Sequence, residues 1–314
     1  MKKVSKKRYR ADVLVEEYVA KIETKIEKEV ARAAKRFGNS FDEIEFKGLL
    51  GSLKIEKTIS GGSVANSIVG LSQLKNDVGF IGKISDDIFG SKYEEGLKKE
   101  NVKYFYTKNK ESLPTGTCLI LVTPDSERTM CTFLGIAGKI NDHDVDEKTI
   151  KKSELIFLEG YLWDEGEPKK AFEKAINNAK KVAMSLSDLF CVERHKQNFL
   201  DLVKKKLDLT FANESEIMTL INTKNFDEVI TFAKEIKKHI VITRGEKGAI
   251  SIIGDEITEI RANKDLTIKD LTGAGDLFAA GYLHGFINNL PIEECLEQAT
   301  KLSSKVIQQI GARL

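Results

Sequence analysis

From residue 155 onward, short runs of consecutive apolar residues alternate with longer segments of helical period. The runs at 155–158, 182–186, 209–212 and 240–243 are too short for helices and read as strands. Between and after them, 168–179 (opened by Pro168), 192–203, 214–221 and 226–238 place apolar residues three and four apart and read as helices. Strands apolar on both faces and separated by helices predict a mostly parallel sheet covered by helices on both faces. In such sheets ligands bind beyond the carboxyl ends of the strands. Those ends carry Glu159-Gly160, Ser187-Asp188, Asn213 and Thr243-Arg244-Gly245, which predicts one site assembled from several loops.

Earlier in the chain, Gly61-Gly62-Ser63 is a tight turn, after which Val64, Ile68 and Leu71 share a helical face. Residues 78–82 read as a short strand. Two further strand-like runs, 118–122 and 128–133, flank Thr123-Pro124-Asp125-Ser126, which is turn chemistry, so the pair predicts a hairpin. The front of the chain differs. Lys2, Lys3, Lys6, Lys7, Arg8 and Arg10 form a basic arm without an acid, and Val15, Val19, Ile22, Ile26, Val30, Ala33 and Phe37 then recur at helical spacing, with Gly38-Asn39 as a stop. Two regions follow: an atypical segment, 1–40, of basic arm and helix, and one α/β domain, 41–314, that carries the hairpin at about 115–135.

Composition narrows the function classes. A chain of 314 residues that is 41% hydrophobic builds a sizeable core. A formal net charge of +2 argues against a generic polyanion binder, so no nucleic-acid partner is expected, although the basic arm is where one would dock. No apolar run approaches the roughly 18 residues of a membrane span, and no apolar signal core follows the first lysines. The four cysteines, Cys118, Cys131, Cys191 and Cys295, form no CxxC pair and have no histidine at ligand spacing. They read as small buried hydrophobes in a reducing, cytoplasmic protein.

The strongest chemical signal is Asp270-Leu271-Thr272-Gly273-Ala274-Gly275-Asp276, followed by Leu277-Phe278-Ala279-Ala280-Gly281. Small residues admit a ligand close to the backbone, and the helix that begins there offers free N–H groups to an anion. A carboxylate at the same point, Asp276, completes what phosphoryl transfer to a hydroxyl needs: amides facing the transferred group and a base for the hydroxyl proton. A plain Asp-capped helix after a Gly-rich turn explains the bare motif equally well. The spacing is neither that of a Walker A loop nor that of a dinucleotide turn.

This stretch resembles the signature of the ribokinase-like carbohydrate kinases, close to D-T-x-G-A-G-D, with Leu271 where that form often has Thr. Ser60-Gly61-Gly62-Ser63-Val64-Ala65-Asn66 is similar to the family's Gly-Gly…Asn turn, and Gly82 to Gly90 to the G-x-D-x-x-G stretch after it. Asn213-Glu214-Ser215-Glu216 has the N-x-x-E form, and Thr243-Arg244-Gly245-Glu246-Lys247-Gly248 resembles the T-x-G-x-x-G nucleotide loop. From about residue 42 the match is nearly continuous. The resemblance implies a three-layer ribokinase-like α/β fold with a small β lid, and an ATP- and Mg2+-dependent kinase. By position it implies Asp276 as catalytic base and Gly273, Ala274 and Gly275 as the anion hole. Gly61, Gly62 and Asn66 would bind the acceptor, and Asn213, Thr243, Gly245 and Gly248 the nucleotide. Asn213 and Glu216 would position magnesium, largely through water, and Asp270 and Thr272 lie where relatives bind a monovalent cation such as K+.

The departure is at the front, where the family has an apolar strand, glycines, and an Asp that binds acceptor hydroxyls. Asp12-Val13-Leu14-Val15-Glu16 resembles the end of that strand, but the glycines are missing. Either Asp12 is the acceptor-binding Asp or the region is remodelled. The stretches 158–164 and 185–188 look most like the adenosine-kinase-like bacterial branch. A nucleoside acceptor needs an aromatic slot, for which Phe105, Tyr106, Phe133, Tyr161 and Trp163 are candidates unless they pack in the core. A free sugar such as ribose or fructose is the alternative acceptor, and a non-catalytic ligand-binding relative the alternative class. The expected partner is a small nucleoside or sugar, without nucleic acid or membrane, acting on a monomer or homodimer.

Overall fold

The computed structural model describes residues 16–21, 43–51, 55, 57–106, 108, 112–122, 128–163 and 166–314. Strand β1 (Glu16–Lys21), helix α1 (Glu43–Gly51) and β2 (Lys57–Ser60) lead into α2 (Ser63–Gln73), β3 (Gly79–Phe80), α3 (Ile88–Lys99) and β4 (Lys103–Tyr104). The hairpin β5 (Thr117–Val122) and β6 (Arg128–Phe133) follows, then α4 (Glu147–Lys152). An alternating region runs β7 (Ile156–Glu159), α5 (Glu167–Asn178), β8 (Val182–Ser185), α6 (Leu189–Lys205), β9 (Leu209–Asn213), α7 (Glu214–Ile221), α8 (Phe226–Ile236) and β10 (His239–Thr243). The chain closes with β11 (Ala249–Ile253), β12 (Glu256–Ile260), α9 (Ala274–Ile287) and α10 (Ile292–Val306).

Among the described residues the main sheet has six strands in the order β12-β11-β10-β9-β8-β7. Strands β7 to β10 are parallel, as their apolar runs predict; β11 and β12 return antiparallel as a hairpin. The mostly parallel sheet with helices and a β lid therefore holds. The lid is a second sheet, β2-β1-β5-β6, in which the expected hairpin pairs Thr117 with Phe133 and Val122 with Arg128.

The lid also corrects the reading of the front. Residues 16–21 are not helical: β1 is paired antiparallel to β2 on one side and parallel to β5 on the other. Within those six residues only Val19 belonged to the helical stripe, so the period there rested on its flanks. Pairing on both edges satisfies the strand's backbone groups without any helical period. The basic arm, Asp12 and the rest of the expected helix lie outside the described residues.

Helix α9 is apolar on nearly all sides, with Leu277, Phe278, Ala279, Ala280, Tyr282 and Leu283 all buried. It packs between α2 and α10. Its approach to α2 is set at Gly70, where an added methyl would lie 2.9 Å from both Ala280 Cβ and Leu277 Cδ1. Because i, i+3/i+4 and i+7 share one face, Ser63, Asn66, Ser67 and Gly70 face Asp276, Leu277 and Ala280.

A buried polar knot ties α9 to the sheet. His239 Nε2 lies 3.0 Å from Ser251 Oγ and 2.7 Å from Tyr282 OH, and those two oxygens are 2.8 Å apart. Burial pushes the His239 pKa from its ordinary 6.5 down to about 4. The folded state thus prefers the neutral ring. The stabilisation is fully present above pH 6.5 and is lost as pH falls toward 4, because only the unfolded chain takes up the proton in that window. The shift is equivalent to about 3 kcal/mol. We expect unfolding midpoints to fall steeply from pH 6.5 to 4 and His239→Gln to flatten that limb; an unchanged limb in the variant would place the titrating group elsewhere.

Candidate active site

Asp276 is the third residue of α9, within its first turn, where the helix dipole favours a negative charge. Its carboxylate is held from α2. Ser63 Oγ donates to Oδ1 at 2.9 Å and Asn66 Nδ2 donates to Oδ2 at 3.0 Å. Ser67 Oγ donates to the backbone oxygen of Asp276 at 2.9 Å. The Gly61-Gly62 turn with its helix and the 270–276 motif, far apart in sequence, therefore meet at one carboxylate.

Gly61 and Gly62 are buried, and Gly62 begins α2 with φ 97°. The turn is fixed to the sheet by Val64 N–H, which donates to the buried Glu159 at 3.2 Å. On its other side, Arg313 donates from Nε to Asn66 Oδ1 and from Nη2 to the Gly61 carbonyl, both at 2.9 Å. Arg313 was not anticipated. No local pattern marks it, since the contact spans the whole domain.

The turn before α9 is shaped by two close approaches. Gly273 is the N-cap residue with φ 77°, and a methyl there would lie 2.7 Å from Ala312 Cα. Asp270 is buried; its Oδ1 accepts from Thr272 N–H and its Oδ2 from Gly311 N–H, each at 2.8 Å. Thr272 is also buried. Gly275, by contrast, is exposed with open space where its side chain would stand.

Asn213 and Glu216 come together as a capping box on α7. Asn213 Oδ1 accepts from Glu216 N–H at 2.9 Å, and Glu216 accepts from Asn213 N–H at 2.9 Å and from its Nδ2 at 2.5 Å. Thr243 pairs with Asn213 at the end of β10, and the loop after it closes with Arg244 N–H on the Gly248 carbonyl at 2.8 Å. Gly248 has φ 96°, and a methyl there would fall 1.9 Å from the Ile260 carbonyl, so the loop is pressed against β12. Gly245 has φ 59°. Arg244 stacks 3.8 Å from the Phe226 ring centre and donates to Glu214 at 2.9 Å, while Lys247 lies 3.2 Å from the same carboxylate. Partial burial works against ionisation, but Arg244 and Lys247 hold the Glu214 carboxyl below its usual range. Since Glu159 aligns with Ser185 and Ser185 with Phe211, both groups of residues sit at the carboxyl end of the parallel strands.

The aromatic candidates do not converge on a slot. Trp163 and Tyr161 are core residues: Trp163 packs edge-on to Phe172 at 5.4 Å, and the Tyr161 hydroxyl donates to the Ser187 carbonyl at 3.0 Å. Phe133 packs on Phe46 of α1, and Tyr106 stacks on Tyr104. Phe105 alone of the five is classed as exposed, at 38%. The four cysteines are buried. Among the described residues no three or more His, Cys, Asp or Glu side chains cluster as a direct metal site, and no helix is long and apolar enough to cross a membrane.

Comparison with known proteins identifies the family. The model of the pfkB family carbohydrate kinases matches residues 52–314. An adenosine kinase from Sinorhizobium meliloti superposes with a TM-score of 0.88 at 30% identity, over 96% of this chain and 94% of that one. A probable sugar kinase from Rhizobium etli gives 0.87 at 29% identity, over 96% and 93%. A 5-dehydro-2-deoxygluconokinase from Clostridium botulinum is 27% identical over 83% of this chain and 82% of its own length. The chain belongs to the pfkB family of carbohydrate kinases. It has the ribokinase-like fold and is an ATP-dependent kinase of sugar or nucleoside type. A model of glycyl-tRNA synthetase insertion domain 1 also matches residues 2–74, a stretch too short to assign a second family and one that includes the Gly61-Gly62 turn described above.

The two outer glycines of the 273–275 turn should separate structure from chemistry. Gly273→Ala meets backbone at a positive φ and should destabilise by about 1–3 kcal/mol. Gly275→Ala meets nothing and gains helix propensity, so its melting temperature should not fall. If the turn receives the transferred phosphoryl group, the new methyl should still lower kcat by about 10-fold or more. A Gly275→Ala enzyme with full activity would remove Gly275 from the site.

Proposed function

We propose that the chain transfers the γ-phosphoryl group of ATP to a hydroxyl of a nucleoside resembling adenosine. The observation that carries the chemistry is the carboxylate of Asp276, held by Ser63 and Asn66 at the first turn of α9. An arriving acceptor hydroxyl takes the place of Ser63 at Oδ1 and passes its proton to the carboxylate, while Asn66 stays on Oδ2. Its oxygen attacks the γ-phosphorus in line while the bond to the β–γ bridging oxygen breaks and ADP leaves. The amides of Gly273 and Gly275, and that of Ala274 once it leaves the Leu271 carbonyl it meets at 3.3 Å, would face the charge on the transferred group. Asn213, Thr243, Gly245 and Gly248 border the nucleotide, and Gly61, Gly62 and Asn66, with Asp12 if it reaches the site, hold the acceptor.

Magnesium, bound to the ATP phosphates, would offset their charge. The donor set fits a hydrated ion: a hard cation that keeps its water needs few protein ligands, and Glu216, fixed by Asn213, retains lone pairs for water. The buried Asp270 carboxylate accepts a backbone amide at each oxygen, from Thr272 and Gly311. A K+ ion there would be an addition to that arrangement.

The nucleoside reading is supported by the likeness to the S. meliloti adenosine kinase along nearly the whole chain. The free-sugar reading is favoured by the 5-dehydro-2-deoxygluconokinase relative and by the burial of Tyr161 and Trp163, which leaves little aromatic surface for a base. An ADP-release assay at saturating MgATP with adenosine, other nucleosides, ribose, fructose and 5-dehydro-2-deoxygluconate decides between them. Adenosine or another nucleoside should give a kcat/KM about 10-fold or more above any sugar, a difference of about 1.4 kcal/mol. The reverse order would establish the sugar reading. No acceptor-dependent ADP with any compound would leave a ligand-binding relative.

A further inference from the structure

The residues after α10 run past the turn before α9 and the turn before α2. Gly311 N–H holds Asp270, Ala312 sits against Gly273, Arg313 grips Asn66 and Gly61, and Gln73 of α2 donates to the Leu314 carbonyl at 3.1 Å. Gln309 Nε2 donates to the Arg313 carbonyl at 2.5 Å, pinning the strap to itself.

The Arg313 contact settles a choice that a side-chain amide otherwise leaves open. An arginine can only donate hydrogen bonds, and an ionised carboxylate can only accept them. Asn66 lies between one of each. Its oxygen must therefore face Arg313 and its nitrogen must face Asp276, as found at 2.9 and 3.0 Å. The planar guanidinium reaches two acceptors at once, which fixes the turn as well as the amide. Without it, the amide is held from the Asp276 side alone, and its rotation, which would weaken or remove the donor to the carboxylate, is no longer opposed from both ends. We propose that Arg313 is a positioning residue for phosphoryl transfer, which orients Asn66 and, through it, the carboxylate of Asp276. The proposal rests on the reading of Asp276 as the base.

Two measurements test it separately. The first is nuclear magnetic resonance of the Asn66 side-chain amide, assigned by its loss in Asn66→Ala. It should be protected from exchange in the wild-type chain, unprotected in Arg313→Met, and intermediate in Arg313→Lys, which keeps the charge without the fork. The second is kinetic. Arg313→Met should lower kcat by about 10- to 100-fold, as expected for a misplaced reacting group. The KM for ATP should stay within about 2-fold, since the nucleotide loop is untouched. The acid limb of the kcat profile should move to higher pH, because the carboxylate loses a donor that favours its charged form. The double variant Arg313→Met/Asn66→Ala should be no slower than Asn66→Ala alone. Single-variant losses that multiply in the double, or an Asn66 amide unchanged in a folded Arg313→Met chain, overturn the proposal. If the wild-type chain phosphorylates no acceptor, the kinase reading fails, and the amide signal decides the brace without it.

Discussion

Two helices begin at the same place, and one carboxylate joins them. Asp276 in the first turn of α9 takes hydrogen bonds from Ser63 and Asn66 in the first turn of α2, and Ser67 holds the backbone of the same residue. An acid at a helix N-terminus gains about 0.3–1 kcal/mol from the aligned peptides, and its charge-assisted bonds are the stronger kind. The arrangement requires α2 to lie close on α9, which Gly70 permits by leaving no room for a side chain against Ala280. Glycine in a helix interior costs about 1 kcal/mol relative to alanine. Here that cost is outweighed, because an added methyl would meet the fixed Cβ of Ala280 and open the seam on which the carboxylate depends.

The remainder of the site follows from this seam. Val64 ties α2 to Glu159 at the end of β7, so the Gly61-Gly62 turn is registered to the sheet. Asp270 ties the turn before α9 to the strap after α10, and the strap returns through Arg313 to the Gly61-Gly62 turn and Asn66. The loop from Thr243 to Gly248 is set separately by Arg244, Glu214 and Phe226. A carboxylate held on one rigid pair of helices and a loop anchored on another pair of elements is a division that would suit transfer between two substrates, as proposed.

Much of this was legible in the sequence, where local pattern and tertiary fold agree. The four apolar runs became β7 to β10 because buried parallel strands read as continuous apolar stretches. Helix α7 was bounded correctly because Asn213 and Glu216 are a capping box with a recognisable spacing. The 270–276 motif marked the start of α9 through its small residues and its acid. What the sequence hid was decided at long range. The helical stripe at 15–37 gave no hint that 16–21 would be paired on both sides by strands from elsewhere. β11 and β12 passed unnoticed because β12 is largely exposed and its pattern, Glu-Ile-Thr-Glu-Ile, is weak. Tyr161 and Trp163 looked like a ligand slot because aromatic side chains do not announce whether they face a core or a cavity. Arg313 is separated from Asn66 by 247 positions, and only folding brings them together.

The central claim is that Asp276 removes the acceptor's proton. Its most direct test is the turnover of Asp276→Asn beside its melting temperature and its affinity for ATP. The amide keeps the side chain's shape but cannot take the proton. General-base assistance contributes about 10²- to 10⁴-fold, so kcat should fall by at least the lower of these factors. ATP should bind as well as before or slightly better, since a charge has been removed from beside the phosphates. A folded Asp276→Asn chain that binds ATP and turns over at the wild-type rate would contradict the account.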